Sequence, residues 1–238
     1  MHLAVAASEL LCTVSSFKML TATVFELKFE SDRELLFKPG QFISLVIPGL
    51  GPHGRDLRRA YSLASAPGCR PLQLCVKRVS GPGSRFLSEL RPGDRFRAFA
   101  PYGDFVFRPK SARFCFVTTG TGIAPVRSML LSPEYRSEER SGTICLLGVR
   151  EEGEILFRDE LAGIPGLRFV PCISQPAPSW NGFHGRVSDY VRQLGSEFPW
   201  AETEFYLCGN SRMISDVKAI LSEKGVQKSA IYQEIYYR

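Results

Sequence analysis

Residues 118–125 read Thr118-Thr119-Gly120-Thr121-Gly122-Ile123-Ala124-Pro125. The apolar stretch Arg113–Thr119 runs into them, and a helical pattern runs out of them from about Pro125. Strand, glycine-rich turn and helix in that order form the entry to a βαβ unit. Gly120 and Gly122 let the backbone turn sharply and approach a ligand closely. Pro125 suits the first helical position, where its missing N–H costs nothing. The free N–H groups and partial positive charge at such a helix start suit a phosphate. The dinucleotide fingerprint G-x-G-x-x-G carries glycine where this chain has Pro125, so the stretch alone is also compatible with a purely structural turn. No Gly-Lys-Ser/Thr follows Gly120 or Gly122, which excludes a P-loop nucleotide hydrolase.

Downstream, strand and helix patterns alternate. Thr143–Val149, Leu167–Ile173, Thr203–Cys208 and Ala230–Tyr236 read as strands, with helices near Ile155–Leu161, Val187–Leu194 and Ile214–Lys224 between them. That alternation predicts a Rossmann-like parallel sheet with helices on both faces, binding ligands at the carboxyl ends of its strands. Upstream the pattern is different. Thr23–Phe29, Gln41–Ile47, Leu72–Val79 and Asp94–Ala100 read as strands, and turn clusters such as Lys38-Pro39-Gly40 and Arg91-Pro92-Gly93-Asp94 separate them. Many short, punctuated strands predict an antiparallel β-barrel. One short helix is expected at Ser84–Leu90, with Ser84 as its cap. The two-domain β + α/β reading divides the chain at Pro109-Lys110-Ser111, giving residues 1–110 and 111–238.

The chain has 238 residues, 44% hydrophobic and 23% charged, with a net charge of +6. This is ordinary globular composition, and no apolar run reaches the roughly 18–20 residues of a membrane span. Leu3–Ala7 is apolar, but no Lys or Arg precedes it and Glu9 follows, so it reads as a terminal strand or arm rather than an export signal. Between Arg55 and Arg113 thirteen Lys/Arg face four Asp/Glu, an excess larger than that of the whole chain. Such a segment attracts phosphates or an acidic protein. Its basic residues alternate with apolar ones, and no nucleic-acid motif accompanies them, which argues against nucleic acid. The seven cysteines form no C-x-x-C pair and no iron–sulfur spacing, and the three histidines are scattered, so no metal site is expected. An odd count without a framework points to the cytoplasm. Nothing in the sequence specifies an oligomeric state.

Two further segments carry chemistry. In a strand, Arg59 and Tyr61 of Arg59-Ala60-Tyr61-Ser62 share one face and Ser62 takes the other. A guanidinium grips phosphate, a Tyr ring lies flat on a heterocycle, and a Ser hydroxyl donates or accepts a hydrogen bond. An ordinary half-buried strand would use the same residues. Taken in order, Arg59-Ala60-Tyr61-Ser62, Lys77-Arg78-Val79-Ser80-Gly81-Pro82-Gly83-Ser84, Pro101-Tyr102-Gly103-Asp104-Phe105, Gly120–Pro125, Cys208-Gly209-Asn210 and Glu234-Ile235-Tyr236 resemble the ferredoxin–NADP reductase family, bacterial type, from about residue 11 onward.

The resemblance implies a flavoprotein that exchanges hydride with a nicotinamide nucleotide and single electrons with a separate ferredoxin or flavodoxin. It implies that Arg59 binds a flavin phosphate, with Ala60 beside it. Tyr61 would stack on the isoalloxazine, and Ser62 would hydrogen-bond near flavin N5. Val76, Lys77 and Val79 would run along the flavin tail, with Gly83 and Ser84 at its pyrophosphate. A diphosphate tail favours FAD over FMN. Thr119, Gly120, Thr121, Gly122 and Pro125 would hold the nucleotide pyrophosphate. Cys208 and Gly209 would stand beside the nicotinamide. Tyr236 would cover the flavin face, Tyr237 would pack on the adenine, and Glu234 would balance proton or charge. Arg150 and Arg186 as 2′-phosphate cations favour NADPH over NADH, although Ser174-Gln175 lacks the Arg many NADPH-specific members carry. Two alternatives stand beside this reading: a reductase component of an oxygenase system or a free-flavin reductase, and a non-catalytic flavin- or nucleotide-binding subunit of a larger redox complex.

Overall fold

Alternating apolar residues build the first sheet. In the computed structural model, which describes residues 6–136 and 142–237 (for Tyr237 the backbone alone), β1 spans Ser8–Met19 and turns Leu10, Cys12 and Val14 inward. Residues 3–5 of the expected terminal arm lie outside the described residues. Strand β1 is not among the strands legible in the sequence, because a register shift between Val14 and Ser16 breaks its alternation. Then come β2 (Val24–Ser31), β3 (Phe42–Ile47), β4 (Leu57–Ser62), β5 (Leu72–Lys77), helix α1 (Pro82–Glu89) and β6 (Arg95–Tyr102). The strand order is β4-β3-β6-β1-β2-β5, and every pair is antiparallel. The edges β4 and β5 meet where their continuations pair Leu63 with Leu74, and Ala64 N–H donates to Gln73 O at 2.8 Å. The sheet thereby curls closed around Phe25, Leu27, Phe29, Ile43, Leu45 and Phe96, all buried. Each such side chain contributes about 1.5–3 kcal/mol by leaving water.

Helix α1 starts two residues earlier than expected. Gly81 is its N-cap and Pro82, with its preset φ, takes the first position. Ser84 is therefore not the cap. Its hydroxyl accepts from Val79 N–H at 2.9 Å and donates to Lys77 O at 3.0 Å, tying the helix to the end of β5.

The second sheet follows from β7 (Arg113–Thr119), α2 (Ile123–Leu130), α3 (Pro133–Arg136), β8 (Thr143–Val149), α4 (Arg158–Ala162), β9 (Leu167–Ile173), β10 (Phe183–His184), α5 (Val187–Gln193), β11 (Thr203–Asn210), α6 (Ser211–Glu223) and β12 (Ile231–Tyr237). The order β10-β9-β8-β7-β11-β12 is parallel throughout. One face of β7 and β11 (Cys115, Val117, Phe205, Leu207) packs on Val187 and Val191 of α5 and Ile214, Val217 and Leu221 of α6. On the opposite face Phe116 meets Tyr206 and, from α3, Tyr135, while Tyr206 stacks on Tyr232 at 4.7 Å. Helices thus cover both faces. The buried Glu204 carboxylate accepts from Lys110 N–H at 2.9 Å, Ser111 N–H at 3.3 Å and Tyr232 O–H at 3.1 Å, pinning residues 110–111 to the second sheet.

Element ends differ from expectation for local reasons. A 3₁₀ turn, Gly120–Gly122, precedes α2, so Pro125 is the third helical residue, still within the first turn, where proline is tolerated. Asn210 caps α6, its side chain accepting from Met213 N–H at 2.7 Å, so that helix begins at Ser211 rather than Ile214. A 3₁₀ turn at Glu152–Glu154 and a left-handed Phe157 (φ 55°) shorten α4. The two-residue β10 is too short to read from sequence. The chain divides into two compact units: residues up to Phe107 together with Arg127–Pro133, and Arg108–Val126 together with Glu134 onward. Among the described residues no helix is long and apolar enough to cross a membrane.

Candidate functional site

In the first unit the deciding geometry lies where α1 begins. A β-carbon added at Gly83 would meet the Tyr61 hydroxyl, and the Arg59 Cβ and Cγ at 3.2 Å each. Glycine lets the helix start sit directly on these two side chains. Arg59, Tyr61 and Gly83 are therefore together, and the first turn of α1, with its N–H groups, sits against the Arg59 side-chain stem. Arg59 donates to Arg58 O at 2.8 Å and makes no ion pair among the described residues. Burial pushes the Tyr61 phenol up to about 12, against the lowering effect of Arg59. Ser62 is buried and Ala60 is exposed. Val76 points into the barrel core at 2% exposure, so it offers its backbone on an edge strand and no side chain. Lys77 and Val79 are exposed.

Arg58, which the sequence reading did not single out, occupies the other face of β4. Its guanidinium lies 4.1 Å from the Phe99 ring centre and donates to Ser44 Oγ at 2.9 Å and Tyr102 O–H at 3.2 Å. The paired arginines Arg58-Arg59 thus divide, one bound across the sheet and the other with its Cβ and Cγ at the α1 start.

In the second unit the strand order reverses between β7 and β11. The carboxyl ends of such a pair form the ligand crevice of an open α/β sheet. Thr119, Gly120 and Gly122 leave β7 there, and Cys208, Gly209 and Asn210 leave β11. The two ends touch. The Thr119 hydroxyl accepts from Asn210 N–H at 3.2 Å. A β-carbon at Gly209, whose φ is +152°, would meet Thr119 Oγ1, and one at Gly122 would meet Cys208 O. Asn210 was missed as a site residue, although an Asn ahead of a helical run is a capping signal.

Cys208 is fully buried and stands in register with Thr118 on one side and Glu234 on the other. Burial first, then the Glu234 charge, push its thiol well up, so it stays protonated. Tyr236 is half-buried near the end of β12; the Tyr237 side chain lies outside the described residues. Arg150 follows β8, its N–H donating to Glu154 Oε2 at 2.9 Å. Arg186 opens α5, its N–H donating to Asp189 Oδ2 at 2.8 Å. Both side chains are exposed on the same carboxyl edge, since Val149, Ile173 and His184 are in register. The strands they follow, β8 and β10, lie two spacings apart, about 10 Å.

An oxidoreductase FAD-binding domain matches residues 12–107 and an oxidoreductase NAD-binding domain matches residues 116–219. Ferredoxin–NADP reductase B of Sorangium cellulosum is 38% identical over 235 residues, covering 91% of this chain and 93% of its own length. The chain belongs to the ferredoxin–NADP reductase family. It is an oxidoreductase that binds FAD and a pyridine nucleotide. The phenol 2-monooxygenase reductase component DmpP of Pseudomonas is 30% identical over 94% of this chain, which spans 64% of that relative's length. The fold is shared with a ferredoxin NADP⁺ reductase from Neisseria gonorrhoeae, at a TM-score of 0.79 and 24% identity, covering 98% of this chain and 99% of that one.

Proposed function

We propose that this protein moves electrons between NADPH and a separate ferredoxin or flavodoxin by way of FAD. The observation that carries the reading is the helix start at Gly83 seated on Arg59 and Tyr61. It puts a cation, a flat ring and free N–H donors within one short span, a donor set that fits a flavin with a diphosphate tail. When bound, FAD supplies a ring that takes two electrons as hydride and releases them singly.

The chain's own residues hold and orient. Arg59 grips the flavin phosphate bidentately, with exposed Ala60 leaving room beside it. The Gly83 and Ser84 N–H groups meet the pyrophosphate; the Ser84 hydroxyl is already taken by Val79 and Lys77. Val76, Lys77 and Val79 line the tail, Val76 by backbone alone. Tyr61 stacks as a neutral phenol, and Ser62 holds a hydrogen bond at flavin N5. In the second half, Thr119, Gly120, Thr121, Gly122 and Pro125 cradle the nucleotide pyrophosphate through backbone approach. Cys208 packs beside the nicotinamide as a soft thiol rather than a nucleophile, which its buried, protonated state supports. Gly209 gives the ring room, and Glu234 balances charge one strand over. Tyr236 occupies the nicotinamide's stacking place until displaced, and Tyr237 packs on the adenine. Arg150 and Arg186 hold the 2′-phosphate, which favours NADPH. We take the FAD-binding part to run to about residue 110 and the nucleotide-binding part from 111. Seven free cysteines suit the cytoplasm.

A second reading, the reductase component of an oxygenase system, is favoured by the likeness to the phenol monooxygenase component. Anaerobic titration of the purified protein separates the questions. NADPH should bleach a flavin spectrum well before NADH does, and added ferredoxin or flavodoxin should restore it. A preparation that stays colourless after incubation with FAD contradicts the reading.

A further inference from the structure

Helix α2 runs without a break from the Gly120–Gly122 turn into the first unit, which it joins at Arg127. Arg127 is only 7% exposed. A single nitrogen, Nη1, donates to Ala64 O at 2.7 Å and to Gln73 Oε1 at 2.8 Å. Ala64 follows the β4 motif by two residues, and Gln73 lies on β5 three residues before Val76. These are the two edges that close the barrel, and they are also linked by the Leu63–Leu74 pair, by Ala64 N–H to Gln73 O and by Gln73 N–H to Ser65 Oγ at 3.2 Å. The outer face of an antiparallel strand is commonly solvated. Here Cys75 and its cross-strand partner Glu26 are 6% and 8% exposed, with Glu26 paired to Lys28 at 3.4 Å. Farther along the helix, Met129 lies against Gly40, where a β-carbon would have no room.

We propose that Arg127 is a positioning residue that couples flavin binding to nucleotide binding. The inference rests on the reading of Arg59–Ser62 and Gly120–Gly122 as the two ligand sites. A phosphate at the turn orders the start of α2; flavin on β4 and β5 orders the seam that Arg127 bridges. Each ligand therefore lowers the ordering cost met by the other, which is positive cooperativity and is reciprocal. A group that merely stabilised the barrel would change flavin retention equally with and without nucleotide.

The test uses the FAD-loaded protein. FAD release after dilution is followed by flavin fluorescence, with and without saturating NADP⁺. In the wild type NADP⁺ should slow release about fivefold, the lower end of ordinary coupling. In Arg127→Met release should be faster and the slowing by NADP⁺ should vanish; Arg127→Lys should restore part of it. Gln73→Leu, which removes one acceptor and leaves the helix intact, should reduce the ratio and decides the matter if Arg127→Met does not load FAD. A wild-type ratio retained in Arg127→Met or in Gln73→Leu overturns the proposal, as does a wild type whose release ignores NADP⁺. Failure of the underlying reading looks different: the wild type then takes up no FAD, or NADP⁺ leaves its flavin spectrum unperturbed.

Discussion

Thiols give the sharpest residue-scale test. Cys69 is exposed, whereas Cys12, Cys75, Cys115, Cys145, Cys172 and Cys208 are buried. Burial raises each of the six, Cys208 among them. The native protein should therefore react with an aromatic disulfide reagent at Cys69 alone near neutral pH, and Cys69→Ser should abolish the reaction. Rapid labelling of Cys208 would contradict its place in the crevice. Arg59→Ala should remove most bound flavin, read as the visible-to-ultraviolet absorbance ratio, because it deletes the cation proposed to grip the flavin phosphate. Tyr236→Ser should tighten NADP⁺ and narrow the NADPH/NADH preference, measured by difference spectroscopy; an unchanged ratio rejects its role in covering the flavin.

At the scale of elements, the α2 turn and the end of β11 stand or fall together. Gly122→Ala drives a methyl into Cys208 O, so nucleotide affinity should drop tenfold or more while flavin content holds, an effect of about 1.4 kcal/mol or above. Loss of both ligands would instead mean that the turn supports the whole fold. The same elements show what can be read from sequence. The strand–glycine–helix order around 118–125 needs only local chemistry, and the alternation of β7 through β12 follows from burial on both faces. Gly209 is legible only as a turn residue, because the atom that forbids a side chain there belongs to Thr119, ninety residues earlier. Arg127 reads as one cation in an apolar helix; its acceptors are 63 and 54 residues away. β1 stayed hidden because its bulge interrupts the period of two. Residues whose role depends on distant backbone cannot be found by periodicity.

For the molecule as a whole, the buried thiols set a pH limit. Cys12, Cys75, Cys115 and Cys172 are raised from 9.0 to about 12, chiefly by burial. Above pH 9 the unfolded chain gives up these protons while the folded chain keeps them. Stability is therefore fully present below that pH and declines as pH climbs toward 12, by up to about 1.4 kcal/mol per thiol per pH unit. The urea midpoint should be visibly lower at about pH 10 than at about pH 8; equal midpoints would show that the thiols are hydrated. The contact of Thr119 with Gly209, and of Gly122 with Cys208, has a further consequence for anyone redesigning coenzyme choice. A saturation library over this chain would return glycine at 122 and 209 almost without exception, whereas Arg150, Gln175 and Arg186, on the exposed rim one to three strands from β7, would accept wide replacement. On the proposed assignment of the 2′-phosphate to Arg150 and Arg186, a new nucleotide preference would evolve along that rim, with the centre of the crevice closed to it.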